Sequence, residues 1–197
     1  MAPRYSALSA FSVLSALTVL SAPLAAQQTG DQPTAILTAG PEVGTRAPDF
    51  SLPWADRDSI GAGDLWFSLS GQRGKVVVLA FYPRDFTKTP TEMLTRFTQD
   101  FPTLFGEGVV VVAISSDSLA THQRFAASLS LPFRLLADSN HTVAKRYGAF
   151  DPTGSDRWVV YVLDRKGKVA YQDLQFVAGD PKEYSRLQSA VKAASKS

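Results

Sequence analysis

"KVVVLAFYPRDFTKTPTEM" (Lys75–Met93) decides the fold. Its first part, Val76–Tyr82, is an unbroken β-branched and aromatic run, the composition of a strand buried on both faces. A polar loop follows, and then a helix start. Thr89 reads as a hydroxyl N-cap and Pro90 as the first helical residue, with no N–H to leave unpaired. Glu92 stands where a capping-box carboxylate reaches back. Met93, Phe97, Phe101 and Leu104 then recur at helical spacing. A second apolar run, "VVVVAIS" (109–115), closes a right-handed βαβ unit.

Downstream the rhythm repeats. Leu119, Phe125, Ala126 and Leu129 share a helical face, "FRLLAD" (133–138) is a short strand, and "NHTVAKRYG" (140–148) is a short helix ending at Gly148. "WVVYVLDRKGKVAYQDL" (158–174) predicts an antiparallel hairpin around Arg165-Lys166-Gly167. "DPKEYSRLQSAVKAA" (180–194) predicts a helix with Asp180 as cap, Pro181 at its first position and Glu183 in the capping-box place. Upstream, "APDFSLPWADRDSIGAGDLWFSLSGQRGK" (47–75) alternates short apolar pieces with turn residues, which suggests a hairpin or two. The order predicts one α/β domain, a central mixed sheet with helices on both faces.

Before this domain, Met-Ala-Pro-Arg leads into an apolar run from Ala7 to Leu20 and then "SAPLAAQQ". A short basic region, an apolar core and small residues before Gln27 predict a signal peptide over 1–26. The apolar run is too short and too often broken by Ser and Thr for the roughly 20 residues of a membrane span. The chain is therefore expected to be exported, to the periplasm or the medium, with no membrane span after processing. Residues 27–42, polar and broken by Gly and Pro, read as a tether, and 43–197 as the folded domain. The net charge of +2 falls to +1 without Arg4, which gives no footing for nucleic-acid binding.

The chemistry is bounded by what is missing. The chain of 197 residues has no cysteine, so it forms no disulfide and offers no thiolate. His122 and His141 fall on different predicted helices without ligand-spaced partners, so no metal or other cofactor is expected. "GQRGKV" lacks the Ser/Thr after Lys and leads into a strand, so it is no phosphate loop. Asp56 and Asp58 read as loop solvation, and Asp117 as a turn or helix cap. A helix N-terminus beside Arg84 and Lys88 favours an anion or a polarised oxygen.

Taken in order, "APDFSLP", "GKVVVLAFYPRDFT", "PTE", "VVVVAISSDSLATHQRF", "LPFRLLADSNHTVAKRYGAF" and "RWVVYVLDRKGKV" resemble the peroxiredoxins, the alkyl hydroperoxide reductase / thiol-specific antioxidant family. The resemblance spans roughly 43–193. It implies a thioredoxin-like, three-layer α/β/α fold and a thiol-dependent antioxidant peroxidase ancestry. The family's loop reads Pro-x-x-x-Thr-x-x-Cys. The Pro shields the Cys, the Thr hydroxyl binds thiolate and peroxide, and a distant Arg lowers the thiolate pKa. By resemblance, Pro83 stands for that Pro, Thr87 for the Thr and Arg157 for the Arg.

An ungapped alignment puts Pro90 at the Cys position. An alternative alignment deletes the Cys between Thr89 and Pro90. Neither leaves a sulfur, and Met93 falls on the apolar helical face. Arg157 has a plainer reading too, as an ion-pair partner of Glu92 or Asp85. The expectation is a non-catalytic binding or interaction protein on a peroxiredoxin scaffold. The alternative is an antioxidant oxidoreductase that borrows a partner's thiol or another redox group. Family members often dimerise, so a second copy joins a redox or other protein among the candidate partners.

Overall fold

The computed structural model describes residues 40–61, 63 and 65–197. The signal peptide read at 1–26 and most of the tether at 27–42 lie outside the described residues. Three two-residue strands come first: β1 (Ser51–Leu52), β2 (Trp54–Ala55) and β3 (Phe67–Ser68). Then follow β4 (Val77–Phe81), α1 (Lys88–Gln99), α2 (Phe101–Leu104), β5 (Val110–Ser115) and α3 (Leu119–Ser128). The chain ends with β6 (Arg134–Ala137), α4 (Thr142–Arg146), β7 (Val159–Leu163), β8 (Val169–Asp173) and α5 (Pro181–Ala194).

The main sheet runs β2-β6-β5-β4-β7-β8. β4, β5 and β6 are parallel, while β7, β8 and β2 run antiparallel to their neighbours. β4 is central and wholly buried, as its unbroken apolar sequence requires. Its alternate residues feed two cores. Val78, Ala80 and Tyr82 face Met93, Phe97, Phe125 and Leu187 of α1, α3 and α5. Val77, Leu79 and Phe81 face Phe50, Phe67, Val143 and Tyr147, from the β1–β3 layer and the α4 region.

Three local expectations differ from the structure. The amino-terminal segment is not simply hairpins. β1 and β3 pair with each other, but β2 between them joins the main sheet beside β6. The helix expected to run on through Leu104 breaks at Asp100, because Pro102 lacks the N–H and crowds the carbonyl a longer α1 would need. Its start also lies earlier: Thr87, not Thr89, is the N-cap, and Pro90 is the third helical residue. The β7–β8 turn forms where the sequence put it. Gly167 takes φ +72°, and the Asp164 carboxylate accepts from the N–H groups of Lys166 and Lys168 at 2.9 and 2.8 Å.

Candidate functional site

The loop Pro83–Thr87 leaves the carboxyl end of central β4, the edge at which open α/β sheets gather ligands. Pro83 is half-buried, and Arg84, Phe86 and Thr87 are exposed. The Thr87 hydroxyl donates to the Arg84 carbonyl at 2.8 Å and caps no helix N–H. The Thr87 carbonyl accepts the first helical bond, from the Thr91 N–H at 3.1 Å. Pro90 is buried in this first turn, where its missing N–H would have had no helical acceptor. Glu92 is exposed, and the reciprocal cap foreseen with Thr89 does not form. Met93 is fully buried, so its thioether has no route to solvent.

Arg157 reaches the same sheet edge from the start of β7. Its guanidinium donates to the carbonyl of Leu174 at 3.2 Å and, weakly, to that of Gly148 at 3.5 Å. The ion pairs with Glu92 or Asp85 are absent. With Tyr82, Ser115, Ser116, His141 and Asp156 it lines a void of about 10 Å³, room for one water. Pro83, Thr87 and Pro90 line none of it. The structure thus sets Pro83, Thr87 and Pro90 along one loop and turn, with Arg157 across the strand end beside Tyr82.

Two constellations escaped the sequence reading. The first is centred on the buried Tyr82, Asp85 and His122, with Asp117 half-buried at its rim. Asp85 Oδ1 accepts from the Tyr82 hydroxyl at 2.6 Å, and Oδ2 faces His122 Nδ1 at 2.7 Å. His122 Nε2 faces the Leu136 carbonyl at 3.2 Å. The Asp85 N–H donates to Asp117 Oδ2, which also accepts from the Ser115 hydroxyl, both at 2.8 Å. Burial, and next the Asp85 carboxylate, push the Tyr82 phenol well above its ordinary range. The second pairs His141 Nδ1 with Asp156 Oδ1 at 2.9 Å, with the ring against Phe150. Burial raises the Asp156 carboxyl, and His141 opposes the rise.

The loop also holds strain. Phe86 sits at φ +56°, a region that costs a bulky L-residue about 1–2 kcal/mol, with its ring on Phe125 at 4.9 Å. Such strain persists only where neighbours over-determine it. Here the buried Asp85 is the anchor next door.

The AhpC/TSA family model matches residues 43–172. The chain belongs to that family. It is 40% identical over 107 residues to the putative peroxiredoxin bcp of Coxiella burnetii (strain RSA 493 / Nine Mile phase I), covering 54% of this chain and 66% of that one. It is 36% identical over 140 residues to the chloroplastic peroxiredoxin Q of Triticum aestivum, covering 70% and 61%. The chain therefore spans less than two thirds of the length of these relatives. Among solved structures, the peroxidoxin BcpB of Mycobacterium tuberculosis superposes with a TM-score of 0.66 at 23% identity, over 78% of this chain and 97% of that one. At that identity the likeness is one of fold, and the fold is thioredoxin-like. Inside an AhpC/TSA domain, then, the described loop carries Pro83, Thr87 and a buried Pro90, and no thiol exists anywhere in the chain.

Proposed function

We propose that this chain is an exported, non-catalytic binding or interaction protein built on the AhpC/TSA scaffold. One observation carries the reading: the first turn of α1, where the family resemblance places the nucleophile, presents a buried proline in a chain without cysteine. Reduction of a peroxide by the family's route needs a thiolate that becomes a sulfenic acid. A proline nitrogen in an amide has no electron pair free to attack O–O, and Met93 is enclosed. Pro83, Thr87 and Arg157 remain as a polar and shape-bearing edge suited to recognition.

The direct test mixes purified protein, started at Gln27, with hydrogen peroxide or an organic hydroperoxide and a thiol reductant. Peroxide should disappear no faster than in a protein-free control, and faster loss overturns the reading. Loss that appears only when a thiol-bearing protein partner is added selects the borrowed-thiol alternative. Export is checked by expression in a bacterium with a working secretion system. The protein should leave the cytoplasm and begin near Gln27, and a mature pool that keeps Met1 or Ala2 contradicts it.

A further inference from the structure

We propose that the amino-terminal end of β4 carries a cationic face that docks on an anionic phospholipid surface and leaves the loop Pro83–Thr87, at the other end of the strand, turned away from the bilayer. Six of the chain's 20 Lys and Arg gather there from three separate segments: Arg46, Arg73, Lys75, Arg165, Lys166 and Lys168. All six are exposed. Backbone pairing sets them side by side. Arg46 bridges Lys168 in antiparallel fashion, flanked by the Gly44 N–H on the Val169 carbonyl at 2.8 Å and the Ala47 N–H on the Gly167 carbonyl at 3.0 Å. From another segment, the Gly74 N–H donates to the Arg165 carbonyl at 2.9 Å and the Arg73 guanidinium to the Lys166 carbonyl at 2.6 Å. Lys75 comes next, just before β4.

The charge at this end is not neutralised from within. Among the described residues, none of the six forms an ion pair with a carboxylate. Asp164, the acid inside the cluster, spends Oδ1 on the N–H groups of Lys166 and Lys168. At the border, Asp49 Oδ1 accepts from the N–H groups of Phe50 and Ser70, and Glu42 stands exposed beyond Gly44. The whole chain carries only +2, so the face is a segregation of charge rather than a share of a basic protein. Its segments, 42–49, 72–75 and 164–169, hold no aromatic residue on which a base could stack. They do hold Val43, 57% exposed, an aliphatic side chain suited to the headgroup boundary. Clustered Lys and Arg beside a bilayer of acidic lipids add their attractions, and no spanning helix is needed. The proposal rests on where the charges lie, so it stands whether or not the chain turns over peroxide.

The test is cosedimentation of the mature protein, started at Gln27, with vesicles of phosphatidylcholine alone or of phosphatidylcholine mixed with phosphatidylglycerol. At low salt, binding to the anionic vesicles should exceed binding to the neutral ones at least about tenfold, and most of the excess should vanish in about 0.5 M NaCl. Arg165→Glu/Lys168→Glu reverses two charges of the face, and Arg124→Glu/Lys182→Glu reverses two exposed charges outside it. Both variants change the net charge equally. The first should lower the partition coefficient at least about tenfold, the second by less than about threefold. If the first variant does not fold, Lys75→Gln/Lys166→Gln takes its place, with a loss of at least about fivefold expected. Equal binding to neutral and anionic vesicles, or an equal loss in the two double variants, overturns the proposal. So does tighter binding to a DNA duplex or to a polyglutamate peptide than to the anionic vesicles at matched salt, which would assign the face to that partner.

Discussion

The N-termini of α1 and α5 are spelled almost alike, Thr-Pro-Thr-Glu (89–92) and Asp-Pro-Lys-Glu (180–183), yet they start by different means. At α5 the local code operates. Asp180 is the N-cap, its carboxylate accepts from the Lys182 N–H at 2.9 Å, and Pro181 is the first helical residue. At α1 the same spelling sits two residues inside the helix. The N-cap, Thr87, turns its hydroxyl back to Arg84, and no side chain caps the first turn. What places α1 is the loop before it, fixed by Asp85 in the Tyr82–His122–Asp117 network. A helix start can be set by its own residues or by tertiary anchors, and the two leave different sensitivities to mutation.

The largest difference should appear on removing the anchors. Asp85→Ala leaves the Tyr82 hydroxyl and a buried His122 without their partner. It should destabilise the fold by about 3–5 kcal/mol in urea titrations. Asp180→Ala removes only a local cap and should cost about 1 kcal/mol. Equal losses would mean that α1 is placed by its own sequence after all. Thr89→Ala sharpens the point, since an exposed residue that caps nothing should change stability by no more than about 0.5 kcal/mol.

A second comparison uses matched positions. Pro90 and Glu183 are each the third residue of their helices, so a cysteine at either feels a similar helix dipole. Their neighbours differ. Glu183 lies against the Asp173 carboxylate, which disfavours a thiolate. Position 90 has Lys88 in its turn, and the family resemblance assigns Thr87 and Arg157 as the groups that would approach a thiolate there. Pro90→Cys should show a thiol pKa below the roughly 8.5 of a free thiol, and Glu183→Cys one above it. The pH dependence of alkylation measures both. The Pro90→Cys value should climb when Arg157→Ala is added. An unperturbed thiol at position 90, indifferent to Arg157, means the pocket has decayed or that the deleted-cysteine alignment is the right one.

The sheet was legible because its strands are long β-branched runs buried on both faces, a pattern that β4 and β5 write in full. The cap of α5 was legible because its cue is local. The start of α1 was not, because Thr89-Pro90-Thr91-Glu92 satisfies the local code one half-turn too late, while the deciding contacts join Asp85 to residues 32 and 37 positions away. His122 looked like an isolated histidine for the same reason. Its only sequence signal was the two acceptor-bearing residues Asp85 and Asp117 at neighbouring strand ends, and no spacing rule connects them. β2 is two residues long, too short for any periodicity to assign it to the main sheet. Arg157, carried over by resemblance, precedes β7, and its carbonyl partners at 148 and 174 could not be read from the chain.

The smallest effect concerns Glu183, whose expected capping-box role α5 does not use. The Asp180 N–H bonds the Val177 carbonyl instead, and the Glu183 carboxylate meets Arg186 at 2.7 Å while its Oε2 is buried without a partner. Burial, and after it the adjacent Asp173, raise the Glu183 pKa, and Arg186 only partly opposes the rise. A carboxyl raised by folding is favoured in its protonated form. Its contribution is fully present below the unfolded-state pKa and is lost as pH climbs through the raised folded value. At neutral pH the ionised Glu183 is therefore a small burden on the fold. Glu183→Gln keeps a hydrogen for Asp173 and sheds the charge. It should be more stable than the wild type at pH 7, by less than about 1 kcal/mol, and the advantage should fade as pH drops toward 4. The ion pair it forfeits involves a largely exposed Arg186 and is worth little. Urea midpoints at pH 4, 5.5 and 7 decide the matter. A variant weaker by the same amount at all three would show that Arg186, not Asp173, governs the Glu183 carboxylate, and that α5 leans on its second charge as well as on its Asp180 cap.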